Sequence, residues 1–258
     1  GGDGVNQVVA IAINTFKETI RDRVLAVIVV FALLMIAGGL WLGSISLGEQ
    51  GRMIKDFGLV AVTGFGLIVA VFVAASLVHK EVEKRTVFVL FSKPVSRAAF
   101  ITGKFIGLCG TMAMVLAGMG LFLFALVWIV AGQASGMVLL AVLMIYVQLL
   151  AVVAVTIFFS TMGSAILAAV LGICVFVAGQ LSHNVLALTR LGKNPLTEAL
   201  SWVVYVIVPN FSAVDVKAGT VGEQTLAWGQ IGLWTAYLLA YIVVALALAT
   251  VIFRRKEF

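Results

Sequence analysis

Between Val24 and Phe253 the chain holds six apolar runs of 19 to 27 residues without a single Asp, Glu, Lys or Arg: 24–47, 57–78, 105–131, 136–159, 163–181 and 228–253. A helix needs about 20 apolar residues to cross a hydrocarbon core of about 30 Å. In that medium a backbone must satisfy its own hydrogen bonds, which leaves helices and closed barrels. Barrel strands alternate over about ten residues, whereas these runs are continuous and twice that long. Composition agrees: 63% of residues are hydrophobic and 11% charged, against about 45–50% and about 25% in soluble domains. The two cysteines, Cys109 and Cys174, lie inside apolar runs and make no secreted disulfide scaffold. The fold class is all-α, a polytopic membrane protein with six transmembrane helices in one transmembrane domain, 1–258.

Charge sets the orientation. Six spans put the N-terminus, the 79–104 loop, the turn at Ser160-Thr161-Met162 and the C-terminus on one side, with twelve Lys/Arg against five on the other. Lys/Arg excess marks the cytoplasmic face, so both termini are expected there. The net charge of +6 resides on that face, twelve basic against six acidic residues, while the other side balances at five and five. The basic character follows from topology and calls for no nucleic-acid partner.

Two segments outside the runs are structured. Over 5–23, Asn14, Lys17, Glu18, Arg21 and Asp22 share one helical face and Val9, Ile13, Phe16 and Ile20 the other. This predicts a cytoplasmic amphipathic helix lying along the interface, either a plain anchor or a docking element. It precedes an apolar run too long for a secretory leader. The outer segment, 182–227, carries Asn194-Pro195 as a helix start and Pro209-Asn210 as a stop around an apolar stretch too short to span. It is expected to lie at the outer interface or to re-enter part-way.

Catalytic signatures are missing. His79 and His183 sit at span ends as interfacial residues, no Cys/His pair has metal spacing, and no nucleophile elbow appears. No ionisable group lies within a run, which argues against a proton- or sodium-driven carrier. Gly103-Lys104 fails the phosphate-loop pattern, with Ala98 and Phe105 where Gly and Ser/Thr are required. The chain is therefore read as no enzyme and as binding no cofactor of its own. The polar residues inside the runs, Thr63, Gln148, Thr156, Ser164 and Gln180, either bond across helices or line a pathway. Gln148 is the strongest pathway candidate, because a midplane amide is costly without a partner. Met112, Met114 and Met119 read as packing residues. Arg97 and Lys104 are expected to reach the headgroups.

The cytoplasmic loop carries a specific pattern. Glu81-Val82-Glu83-Lys84-Arg85-Thr86, then Leu90-Phe91-Ser92-Lys93-Pro94-Val95-Ser96-Arg97, then Gly103-Lys104-Phe105-Ile106-Gly107 resembles the type-2 ATP-binding-cassette (ABC) exporter permeases, most closely the branch containing the nitrous-oxide reductase maturation permease. Arg85 departs from the glycine usual at its position. Phe159-Ser160-Thr161 and Val208-Pro209-Asn210-Phe211 extend the likeness over nearly the whole chain.

The resemblance implies a permease in a bacterial-type cell membrane, paired with a second permease copy in the lipid bilayer and driven by two copies of a separate cytoplasmic ATPase, which would hold the ATP and Mg. Accessory envelope proteins are a further implied partner. It assigns coupling to Glu81, Val82, Glu83, Arg85, Thr86, Val87 and Phe88, and a connecting helix to the segment of Lys17, Glu18, Arg21 and Asp22. Two alternatives remain: an anchoring or mechanical protein that uses ATPase motion without moving a solute, and a passive channel. The topology is directly testable: a cysteine at Gly219 is expected to react with an impermeant thiol reagent on intact cells and one at Lys93 to be protected, and the reverse pattern refutes the orientation.

Overall fold

The computed structural model describes residues 2–20, 25–45, 50–83, 97–132, 136–189, 208–211 and 228–255. Seven helices make up these residues: α1 (Gly2–Thr19), α2 (Leu25–Ile45), α3 (Gln50–Glu83), α4 (Arg97–Ala131), α5 (Gly136–Met162), α6 (Ala165–Thr189) and α7 (Trp228–Arg255). Five are long and apolar enough to cross a membrane, within Gln50–Ser76, Ala98–Val130, Gly136–Met162, Ala165–Ser182 and Gly229–Phe253. In α2 the apolar helix with described side chains is the shorter Ala26–Gly39.

The helices overrun the apolar stretches that announce them. Helix α3 starts at Gln50 and continues to Glu83, and α4 starts at Arg97; nothing at these ends breaks a helix, and beyond the hydrocarbon charged side chains are solvated. The expected loop 79–104 is thus helical at both ends. Helix α4 stops where Gly132 adopts φ 68° and donates its N–H to the Trp128 carbonyl at 3.0 Å, a left-handed terminus.

Helix α5 is the centre. Residues 147–157 are buried on every side, and α3, α4, α6 and α7 all pack on it. A helix that is apolar all round belongs inside. In lipid the hydrophobic effect does not drive helices together, so close contact has to come from small residues and shape. Three neighbours each bring a glycine. A methyl group on Gly66 of α3 would lie 2.6 Å from Leu149, one on Gly120 of α4 2.8 Å from Val142, and one on Gly172 of α6 would overlap Thr156. Ser160 adds a cross-helix hydrogen bond, donating to the Ala75 carbonyl at 3.2 Å. Helix α7 brings none: Gly229 and Gly232 face open space. On the other flank α2 packs Phe31 edge-on against Phe65 of α3 and Phe122 of α4, at 6.0 and 6.2 Å.

Helix α1 covers the segment expected to be an amphipathic helix; among its described side chains Ala12, Thr15 and Thr19 are buried within the protein, while Val9 and Ile13 are each 49% exposed. The small face docks on Gly103, Gly107 and Gly110 of α4, where added methyl groups would meet Ile11 at 2.9 Å, the Ala12 carbonyl oxygen at 2.6 Å and Phe16 at 3.1 Å. The closest approach, at Gly107, is made by Ala12 and Thr15, and of the apolar stripe Val9 and Ile13 face outward while Phe16 and Ile20 are half-buried. Lys17 and Glu18 are exposed; Arg21 and Asp22 lie outside the described residues. Because the Gly107 contact is with backbone, Gly107→Val is expected to detach α1, costing about 1–3 kcal/mol and exposing it to limited proteolysis. Gly64→Ala, which meets open space, is expected to leave the melting temperature and the proteolytic pattern alone; equal behaviour of the two variants refutes the packing account.

Candidate functional site

The polar residues singled out within the runs are dispersed rather than gathered. Thr63 and Thr156 are buried, and each hydroxyl donates to the carbonyl one turn back on its own helix, Leu59 at 2.7 Å and Val152 at 2.8 Å. Such back-bonding satisfies a hydroxyl without reaching a neighbour or a ligand. Gln180 is half-buried on α6.

Ser164 is exposed and begins α6: its Oγ accepts the Leu167 N–H at 3.4 Å and its carbonyl accepts the Ala168 N–H at 3.0 Å. It is an N-cap. The turn between α5 and α6 accordingly falls at Gly163-Ser164 rather than 160–162, because Ser160 and Thr161 remain helical and buried.

Gln148 differs from the rest. It is 3% exposed, and its Nε2 is buried without a hydrogen-bond partner. About 18 Å of helix separates it from the start of α5 at Gly136, which puts it near mid-membrane. Four residues before it, Met144 meets the Thr235 hydroxyl of α7 at 3.9 Å; seven after it, Val155 lines a groove shared with α7. Gln148 therefore lies on the stripe of α5 turned toward α7.

That groove holds about 480 Å³ and is walled by Val155, Phe158 and Phe159 of α5, Val175 of α6 and the face of α7 carrying Tyr237, Tyr241, Val244 and Leu248. It lies alongside the contact of α7 with α5. Val208 also lines it, as part of a hook over 208–211 pinned to two helices. Phe211 donates its N–H to the Gly179 carbonyl at 3.1 Å and buries its ring against Phe176 at 5.8 Å. Ser182 Oγ lies 2.9 Å from Asn210 Oδ1, and the Asn210 N–H points to the Tyr237 hydroxyl at 3.4 Å. Gly179 permits this: a methyl there would overlap the Phe211 ring. The Pro209-Asn210 signal marks the hook in the sequence, but nothing there names Gly179 or Tyr237 as its partners. The rest of 182–227 falls largely outside the described residues.

At the other end Lys104 corrects an expectation. It is 3% exposed, with Nζ 5.5 Å from the Phe100 ring centre, and Phe100 stacks on Phe253 of α7 at 5.9 Å and 13°. This cation lies over an aromatic face inside the α4–α7 contact instead of reaching headgroups. Of the implied coupling residues, Glu81, Val82 and Glu83 form the last turn of α3; Arg85, Thr86, Val87 and Phe88 lie outside the described residues. Among the described residues no group of three His, Cys, Asp or Glu side chains could hold a metal ion.

A buried amide donor left without a partner costs about 1–3 kcal/mol. Gln148→Leu is therefore expected to raise the melting temperature in detergent while Thr156→Val changes it little. A melting temperature lowered by Gln148→Leu would show that the amide is satisfied in the fold.

The comparisons with known proteins bear on this arrangement as a whole. Comparison with curated proteins gave no match. The family model described as ABC-2 family transporter protein matches residues 9–258, from α1 through the end of α7. Nearly the entire chain, with its long apolar helices and its docked first helix, falls within that match, and the chain belongs to the ABC-2 transporter family as a membrane permease component of an ABC transporter.

Proposed function

We propose that this permease is one half of the membrane dimer of an ATP-driven exporter, and that a separate cytoplasmic ATPase supplies its energy. In this reading α2 is the sixth span, both termini are cytoplasmic, α1 is the connecting helix, and residues 81–88 couple to the ATPase, where ATP and Mg are bound. The 81–107 pattern resembles that of the nitrous-oxide reductase maturation branch.

The observation that carries this is the length of α3. Its 34 residues make about 51 Å of unbroken helix, about 20 Å more than the hydrocarbon core requires. A single rigid rod thus runs from the membrane interior to Glu81 and Glu83, the acidic pair of the pattern. Displacement of its end is carried to Gly66, where α3 rests on α5. Helix α4, at 35 residues, is of similar length and carries α1 on its first turns, so the two arms flanking the coupling segment both reach the central helix.

Glu81 and Glu83 can pair with basic groups on an ATPase, while Val82, Val87 and Phe88 supply an apolar plug. Reversing both charges, Glu81→Arg with Glu83→Arg, is expected to leave the permease inserted and to abolish co-purification of the ATPase. Undiminished recovery of the ATPase would overturn the coupling assignment. Stimulation of ATP hydrolysis by a solute would then separate transport from mechanical use of the same motor.

A further inference from the structure

We propose that the groove between α5, α6 and α7 holds one acyl chain of an anionic phospholipid, drawn from the leaflet on the Arg254-Arg255-Lys256 side. Its walls belong to three membrane helices and are apolar but for two tyrosines. Its 480 Å³ falls in the range of about 300–1,000 Å³ that single small molecules occupy.

Length selects the occupant. From Tyr237 to Leu248 the groove follows α7 for about 16 Å, half of a hydrocarbon core of about 30 Å and so the depth of one leaflet. Val208 of the hook lines it, and its side is open where Val244 is 57% exposed and Leu248 49% exposed. A chain can enter laterally and lie against Val208.

Charge selects the headgroup and the direction. Beyond Leu248, α7 continues to Arg255 and the sequence reads Arg254-Arg255-Lys256. The first of these lies about 9 Å further along the helix, at the level where the headgroup of a chain lying in the groove would sit. Basic residues near a membrane surface attract anionic lipid by about 1 kcal/mol each. Among the described residues at the hook end the polar groups are neutral: Ser182 bonds to Asn210, whose N–H points to Tyr237.

The test uses the full chain in vesicles of phosphatidylethanolamine and phosphatidylglycerol, doped with phosphatidylglycerol bearing a diazirine on one acyl chain; cross-linked residues are mapped by mass spectrometry. Phe158, Phe159 and Leu248 are expected to label above Val243, which is 66% exposed on the same helix at similar depth but off the groove. Val244→Trp puts an indole where the chain would lie, so it is expected to cut groove labelling and leave Val243 unchanged. Ala240→Leu, nearer the hook, serves as a second filling variant. A phosphatidylcholine probe with the same chain is expected to label the groove less.

Groove labelling no higher than at Val243, indifference to both substitutions, or equal labelling by the neutral probe would each overturn the proposal. No ATPase takes part, so the outcome is independent of the coupling assignment.

Discussion

The whole assembly depends on α5 being buried on every side. Inside a bilayer, apolar side chains gain nothing by leaving lipid for protein, so a central helix is held by shape and by the few hydrogen bonds that cross to it. Leu149, Val142 and Thr156 fill the spaces left by Gly66, Gly120 and Gly172, and Ser160 bonds to the Ala75 carbonyl. Three helices are thereby fixed at close range. The fourth, α7, packs on α5 without a glycine at the contact, and the groove lies alongside that contact.

The same rule governs the docking of α1. Ala12, Thr15 and Thr19 are buried against α4, with Ile11 and Phe16 set on Gly103 and Gly110. Helix α1 and the first turns of α4 are thereby joined by backbone-close contact, which suits a unit that moves as one body.

Much of this was legible in the chain itself. Long uncharged runs announce spans because hydropathy is a local property, and five of those runs lie in helices long and apolar enough to cross. Gln148 stood out because the cost of a midplane amide is also local. Other features turn on what a residue meets in space. The pattern of Lys104 matches a snorkelling cation, but Phe100 and Phe253 enclose it. Ser164 reads as one more small polar residue in a span until the turn at Gly163 makes it a cap. Thr63 and Thr156 resemble pathway hydroxyls, and only the geometry shows them bonded within their own helices. The hook at 208–211 was visible as a stop signal, its anchorage on Gly179 and Tyr237 was not.

The functional account assigns α3 and α4 as rods that carry motion from a cytoplasmic motor to a tightly packed centre. Its central claim is that a separate ATPase drives this permease, and purification of the chain from its native membrane in mild detergent, with the partners identified by mass spectrometry and ATP hydrolysis assayed, tests that claim most directly. The account predicts a stoichiometric phosphate-loop ATPase and measurable hydrolysis. Recovery of the chain alone, inactive toward ATP, would contradict it.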